Sequence, residues 1–246
     1  MLSKRWQRRA VGTVSWLFIL LVCLWLVRGL RWNVVWQASP FLLKGLLVSW
    51  ELAIISVLIG LVAGIGLAAA RLYGAIGVRH IAIGYVELIR SIPQIMVIFW
   101  VFFGIPAVTG YTLDPMPAAI IALSTIASAY LAEVIRAGLL SVSRVHRESG
   151  YCSGISFLDI FLHIVLPQAM RNMLPALLAH IVMMFKLTAL VYLIGLIDFF
   201  RAIILVNNRE YAPEALYLTM AVVYFVCNFI LSSIVRSFDP KYGLVA

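Results

Sequence analysis

Only a few charged residues in this chain can carry chemistry, because 64% of its 246 residues are apolar and 12% are charged. Lys186 stands alone in an apolar run, whereas the polar stretch at 141–175 holds many charged side chains. Two pairs of oppositely charged residues are each spaced three residues apart: Glu87 with Arg90, and Glu133 with Arg136. On a helix this spacing lets the side chains pair, which lowers the cost of a charge near lipid. These residues are therefore suited to ion pairing, to docking and to binding a charged ligand.

Residue types that hydrolysis, redox chemistry or metal binding would need are not grouped in the sequence. No Walker A motif is present to cradle ATP phosphates. The four histidines lack metal-ligand spacing, and the three cysteines imply no disulfide. We therefore expect a non-enzymatic chain without a metal or cofactor of its own, and an enzyme embedded in the membrane is disfavoured. The net charge of +9 does not indicate nucleic-acid binding, because the basic residues lie beside apolar segments.

Apolar runs in the sequence are long enough to cross a membrane. Mean hydropathy is +1.05, and several runs reach the ~20 residues that a bilayer-spanning helix needs. The sequence predicts an all-α polytopic membrane protein of about six transmembrane helices, with spans at 11–27, 46–70, within 81–106, 118–133, 174–196 and 216–234. Pro93 is expected to start or kink the third span. In the second span, Gly60 and Gly64 form a G-x-x-x-G pattern that allows close helix approach.

The polar stretch at 141–175 is too long for a simple connection between two spans. Gly150 and Gly154 interrupt it, and Ser156 with Asp159 makes a capping-box start for a helix. Pro167 is expected to stop that helix. This pattern predicts a helix, a glycine break and a second helix on the membrane surface. From composition alone, an ordinary interfacial loop is the alternative.

The spacing within this stretch resembles the EAA loop of ABC-importer permeases. Glu148-Ser149-Gly150, three further residues, Gly154 and a Leu166-Pro167 exit match that pattern, with small residues replacing both alanines. The residues after the proline are similar to those of polar amino acid permeases. The resemblance implies that the loop forms coupling helices that dock on a cytoplasmic ATPase. The residues expected at this contact are Arg147, Glu148, Ser149, Gly150, Gly154, Leu166 and Pro167.

Three other tracts add to the resemblance. Residues 87–94 resemble the family's E-x-x-R-(G/S)-x-P signature, and residues 129–138 resemble its A-Y-x-(A/S)-E-(I/V)-I-R-(A/G)-G. The tract from Lys186 to Arg201 resembles the D/K-x-T-S-L … DFFR tract of glutamate/aspartate permeases. The predicted domains are 1–40, a basic N-terminus with an extra first transmembrane helix, and 41–246, a permease domain with its coupling loop at 141–173.

The resemblance implies that the chain is one half of a passive transport route. A second permease subunit, either another copy or a different chain, would complete the route. A partner ATPase would bind ATP-Mg, and a periplasmic amino-acid-binding protein would deliver the substrate. Glutamate or aspartate is the expected substrate, and a permease for basic amino acids or glutamine is the alternative. An ion-coupled secondary transporter is the rival from another class, although no inverted repeat is visible.

An acidic amino acid would need a cationic partner within an apolar route. Lys186 is the strongest candidate, with Thr188 as a hydroxyl donor. The weaker members of the pathway are Arg90, Arg201 and Glu133. Alternatively, Lys186 extends its charged end to the interface or pairs with Glu133 or Glu51.

The distribution of basic residues predicts the orientation of the chain. With the N-terminus in the cytoplasm, thirteen Lys and Arg residues lie on that side and four lie on the other. This imbalance predicts cytoplasmic N- and C-termini in a bacterial inner membrane, with the loop of Glu148 within reach of an ATPase. No small-residue cleavage site follows 11–27, so that span is expected to remain attached.

Overall fold

The structure is a computed structural model that describes residues 28–238, apart from 144, 146, 147, 149 and 151, with side chains up to 234. No β-strand occurs among these residues, which confirms the all-α fold class. The helices are α1 Trp32–Tyr73, α2 Ile76–Ser91, α3 Gln94–Phe99, α4 Ile105–Thr109, α5 Pro115–Leu140, α6 Phe157–Asp159, α7 Leu166–Leu187, α8 Phe199–Glu210 and α9 Pro213–Phe238. π-helical turns at Trp100–Gly104 and Ile160–Val165 and a 3₁₀ helix at Thr188–Ile194 join some of them.

Four helical segments of the described part are long and apolar enough to cross a bilayer. The bent pair formed by Ile76–Ser91 and Gln94–Thr109 makes a fifth when counted as one span. The span predicted at 11–27 lies outside the described residues. The structure therefore agrees with a polytopic membrane protein.

Helix α1 starts well before the span predicted at 46–70. It has 42 residues and contains Pro40, so at 1.5 Å per residue it is about 63 Å long. The apolar interior of a bilayer is ~30 Å thick, so α1 extends beyond it. Trp32 and Trp36 lie in the first two turns of this helix.

The third span is broken, and Pro93 is the cause. The axes of the two halves meet at 110°. Ile92, which precedes the proline, is extended at φ −94° and ψ 150°, as steric contact with a proline ring favours. The predicted kink at Pro93 is therefore confirmed. After it, the chain continues as the Gln94–Thr109 half in a different direction.

Helices α1 and α5 run parallel to each other in close contact. A Cβ added to Gly60 would lie 2.4 Å from Ala127 Cβ, and one added to Gly64 would lie 3.1 Å from Leu131 Cβ. Both contacts advance by four residues in the same direction, which establishes the parallel arrangement. The G-x-x-x-G contact predicted from the sequence is confirmed, and α2 to α4 return the chain between these two helices.

Helix α7 lies antiparallel to α5. Gly138 contacts Met173, and Tyr130 stacks on His180, so the contacts move in opposite directions along the two helices. The expected stop at Pro167 is wrong, because the chain is helical from Phe157 through Ile194. Pro167 comes two residues after the π-helical turn Ile160–Val165, where the α-helical hydrogen-bond pattern is already interrupted.

Helix α8 was not predicted from the sequence. The carboxylate of Asp198 accepts hydrogen bonds from the N–H groups of Phe200 at 3.1 Å and Arg201 at 2.9 Å. These bonds satisfy free N–H groups at the start of the helix. A Cβ added to Gly45 would lie 2.8 Å from the backbone oxygen of Asp198, so α8 packs directly on α1.

Candidate functional site

Glu133 on α5 is the centre of a charge cluster. Its carboxylate accepts hydrogen bonds from Arg71 Nη1 at 2.7 Å and from Arg136 Nη2 at 2.5 Å. Arg90 Nη1 lies 3.9 Å from the same carboxylate, and Arg71 Nη2 lies 3.8 Å from Glu87 Oε1. The cluster thus joins α1, α2 and α5 and holds three guanidinium groups against two carboxylates.

One of the two predicted i,i+3 pairs is confirmed and the other is replaced. Glu133 pairs with Arg136 as expected. Glu87 and Arg90 do not pair with each other among the described side chains, because each has a partner on another helix. Arg71 in the last turn of α1 is near Glu87, and Glu133 is near Arg90.

Tyr130 connects this cluster to α7. The guanidinium carbon of Arg90 lies 5.7 Å from the centre of the Tyr130 ring, within the range of a cation–π contact. The Tyr130 ring also stacks on His180, with centroids 5.8 Å apart and planes 23° apart. His180 is buried, and its Nε2 has no hydrogen-bond partner among the described residues.

A cavity of about 520 Å³ lies at the break of the third span. Its lining residues come from the break itself, from α5 and from the 3₁₀ helix: Ser91, Ile92, Pro93, Gln94, Ile95, Tyr130 and Leu190. Irregular backbone at membrane depth is tolerated where it lines such a cavity. The cavity is therefore the best candidate in the described part of the chain for a section of the route.

Lys186 and Thr188 do not join this cluster. Lys186 is exposed, whereas its neighbour Phe185 is buried and its ring centroid lies 4.4 Å from that of Trp50. Thr188 is fully buried and donates its hydroxyl to the backbone oxygen of Phe185 at 2.8 Å. The hydroxyl expected to meet substrate is therefore occupied within its own helix.

Neither of the predicted alternative partners of Lys186 forms an ion pair with it. Glu133 is held by arginines, and Glu51 is exposed and forms no ion pair among the described residues. Lys186 likewise forms no ion pair with any residue that the structure describes. Its charge is thus available on the surface of α7, about one turn from Leu190 at the cavity.

The coupling loop has the predicted helix–glycine–helix form. Residues 145, 148, 150 and 152 are helical, and Gly154 ends this helix with a left-handed φ of +72°. The N–H of Ile155 donates to the backbone oxygen of Gly150 at 3.1 Å, as in a Schellman cap. Ser156 Oγ accepts the N–H of Asp159 at 3.2 Å and caps the second helix as predicted.

The residues expected to contact the ATPase differ in their exposure. Glu148, Gly154 and Pro167 are exposed and Leu166 is half-buried. Gly150 is buried, and a Cβ added there would lie 2.8 Å from Ile160 Cγ1, so a larger residue would fit between the two loop helices only if Ile160 moved. Arg147 and Ser149 lie outside the described residues.

Three members of this site were not predicted from the sequence. Arg71 ends an apolar span and gave no local signal of its partner. In the sequence, Tyr130 and His180 look like ordinary core residues, because only the packing of α5 against α7 brings their rings together. Asp198 before an apolar run is a standard helix-start signal, so helix α8 could have been found. No group of three His, Cys, Asp or Glu among the described residues could hold a metal ion.

Comparisons with known proteins identify the family. Residues 56–243 match the family described as binding-protein-dependent transport system inner membrane component. The glutamate/aspartate import permease protein GltK of Escherichia coli O157:H7 is 33% identical over 211 residues, 83% of this chain and 94% of the relative. The glutamine transport system permease protein GlnP of E. coli K12 is 28% identical over 215 residues, 87% of this chain and 98% of the relative.

A solved structure has the same fold. The crystal structure of an amino acid ABC transporter with histidines matches with a TM-score of 0.80 and 27% sequence identity, over 83% of this chain and 95% of that one. The match of the family over most of the chain and the identity to a curated permease agree with this fold. The chain therefore belongs to the binding-protein-dependent transport system inner membrane components, as a permease subunit of an amino acid ABC importer.

Proposed function

We propose that this permease forms half of an import route for acidic amino acids, glutamate or aspartate. The observation that carries the proposal is the surplus of cationic side chains beside the cavity, where three arginines surround Glu133 and Glu87. A net positive site favours an anionic ligand in an apolar surrounding. Similarity to a glutamate/aspartate permease supports the same choice.

Glutamine or a basic amino acid is the alternative substrate. Similarity to a glutamine permease and to an amino acid transporter crystallised with histidines favours it. Membership of the ABC-importer family removes the ion-coupled transporter that the sequence left open. The two remaining choices differ in the charge of the substrate, which is the quantity to test.

Lys186 is the residue we assign to the substrate within the span. Lys186 is exposed on α7 and forms no ion pair among the described residues. An unpaired lysine in a span costs about 2.5–3.5 kcal/mol on insertion scales. An anionic substrate in the assembled route would offset this cost.

The test is uptake of labelled glutamate into proteoliposomes that contain the complete importer and internal ATP. Lys186→Met should reduce uptake about tenfold, since a hydrogen bond to a charged group contributes about 1.5–3 kcal/mol. Lys44→Met is the matched control, because Lys44 is an exposed lysine on α1 that does not line the cavity. Normal uptake by Lys186→Met would remove this lysine from the route. Preference of the unchanged importer for arginine or histidine over glutamate would reject the acidic substrate.

The partners we propose are a cytoplasmic ATPase that binds ATP-Mg, a second permease subunit and a periplasmic amino-acid-binding protein. The ATPase would contact the coupling loop, where Glu148 stands beside exposed apolar side chains that include Val145, Phe157 and Leu158. The exposed apolar side chains along the spans would contact lipid. Co-purification of the ATPase with the unchanged chain, and its loss on deletion of 145–158, would support the contact. An ATPase retained after that deletion would contradict it.

We also propose cytoplasmic N- and C-termini in a bacterial inner membrane. The distribution of Lys and Arg supports this orientation. Because α1 and α5 run parallel, the chain between them must cross the membrane an odd number of times. A cysteine introduced as Ser3→Cys should resist impermeant reagents added from outside. Rapid labelling from outside would reverse the assignment. Mass spectrometry that finds a new N-terminus near Arg28 would contradict retention of 11–27.

A further inference from the structure

At the break in the third span, side-chain contacts are needed to hold the two helical halves at a fixed angle. Ile92 and Pro93 are not helical, and proline cannot donate a backbone hydrogen bond. The chain turns by 110° here while it lines the cavity of about 520 Å³. Because helical hydrogen bonds do not continue through the break, contacts of the residues around it must fix the angle between α2 and α3.

Arg90 is placed to fix this angle. It lies in the last turn of α2, two residues before the break, with a side chain that is 36% exposed. Its guanidinium lies 3.9 Å from Glu133 and 5.7 Å from the ring centre of Tyr130. These two partners are three residues apart on α5 and so present one face of that helix to α2.

Tyr130 links the same arginine to α7. Its ring also contacts His180, and the two rings are near parallel at 23°. Helix α7 continues from the coupling-loop helix that starts at Phe157 without a break in helical backbone. A shift of α7 would therefore move the aromatic surface on which Arg90 rests.

We propose that Arg90 is a positioning residue that holds the bend of the third span, and that Tyr130 connects this bend to α7. Movement at the coupling loop then reaches the cavity through α7, His180, Tyr130 and Arg90. The inference rests on the family of the chain and not on the identity of its substrate. It assigns a role to Arg90 that differs from direct substrate contact, and the two are separable by experiment.

The first test measures the bend itself in the complete importer, without substrate. Cys23, Cys152 and Cys227 are replaced by serine, and spin labels are attached through Ile81→Cys on α2 and Val108→Cys on α4, where both side chains are exposed. Arg90→Met should broaden and shift the distance distribution between the labels. Arg90→Lys should restore it, since the positive charge remains. Arg79→Met, which changes an exposed arginine of the same helix, should leave it unchanged.

The second test measures the amount of amino acid transported per ATP hydrolysed, with whichever amino acid the importer carries. Arg90→Met should lower this ratio about tenfold, a size typical of residues that couple two sites. Equal behaviour of Arg90→Met and Arg79→Met in both tests would overturn the proposal. A lowered ratio with an unchanged distance distribution would also overturn it, because the role would then be substrate contact.

Variants of Tyr130 decide the question if Arg90→Met fails to assemble. Tyr130→Phe keeps the ring and should behave as the unchanged chain in both tests. Tyr130→Leu removes the ring and should reproduce the broadened distances and the loss of coupling. Equal results for Tyr130→Phe and Tyr130→Leu would show that the ring is not the connection, and would overturn the proposal.

Discussion

Arg71 donates a hydrogen bond from Nη1 to Glu133 Oε2 at 2.7 Å, although 62 positions of sequence separate the two residues. The Arg71 side chain is only 9% exposed, so water screens the contact weakly. The bond joins the end of α1 to α5, which already meet at Gly60 and Gly64. Close packing of the two helices therefore brings together the charges that form the cluster.

Replacing Glu133 with glutamine should destabilise the protein. Three arginines would then surround a neutral group, and losing one partner of a partly buried ion pair should cost about 2 kcal/mol, given the 23% exposure of the glutamate. The apparent melting temperature of the purified complex in detergent measures this loss. Glu51→Gln, which changes an exposed glutamate of α1, is the control and should melt like the unchanged protein. Equal melting of both variants would show that the cluster contributes no stability.

Two glycines of α1 should respond oppositely to alanine. The Cβ in Gly60→Ala would lie 2.4 Å from Ala127 Cβ, and such overpacking costs about 1–3 kcal/mol. Gly66 has no neighbouring atom within 4 Å of an added Cβ, and alanine is favoured over glycine in a helix by up to ~1 kcal/mol. Relative to the unchanged protein, the melting temperature should therefore fall for purified Gly60→Ala and rise for purified Gly66→Ala. A melting temperature for Gly60→Ala at or above that of Gly66→Ala would contradict the close contact of α1 with α5.

Asp198 gives helix α8 a dependence on pH. Burial raises the pKa of its carboxyl from 3.8 to about 6, so between pH 4 and 6 the folded protein binds the proton more strongly than the unfolded chain. The contribution of this group to the free energy of unfolding therefore falls as pH rises through that window and stays low above it. Asp198→Asn keeps an acceptor for the helix cap and removes the charge.

Comparison of Asp198→Asn with Asp198→Ala tests this account. At pH 7.5 the asparagine variant should be more stable than the unchanged protein by about 1–3 kcal/mol, and the gain should shrink towards pH 4.5. The alanine variant lacks the cap and should be less stable than asparagine by about 1 kcal/mol at every pH. Melting curves at several pH values measure both differences. A constant difference between asparagine and aspartate across pH would contradict a raised pKa.

Charge reversal at Glu148 should uncouple ATP hydrolysis from transport. Glu148 is exposed on the coupling loop, and Glu148→Arg would put a wrong charge at the proposed ATPase contact. We expect the ratio of amino acid transported to ATP hydrolysed to fall about tenfold, the cost of like charges at a contact being ~1.4 kcal/mol or more. Asp114→Arg, a charge reversal at an exposed position in a different loop, is the control. Normal transport per ATP by an assembled Glu148→Arg importer would reject the contact.

Local chemistry in the sequence was sufficient for the fold class and for several details of this protein. The apolar runs determine an all-α membrane protein, because a backbone in lipid must satisfy its own hydrogen bonds. Pro93 determines a break, and Ser156 with Asp159 determines a helix start, because each acts on its immediate neighbours. Gly60 and Gly64 determine a close helix contact because both lack a side chain.

The tertiary structure alone decided which of these elements meet. The partner of Arg71, the exchange of partners by Glu87 and Arg90, and the outward position of Lys186 all depend on which helix lies beside which. Helical continuity through Pro167 also depends on context, since a proline is disruptive in a regular helix interior, and here it follows the π-helical turn Ile160–Val165. An isolated charge shows in the sequence that it needs a partner, but only helix packing brings a particular partner within the few ångströms over which ion pairs form.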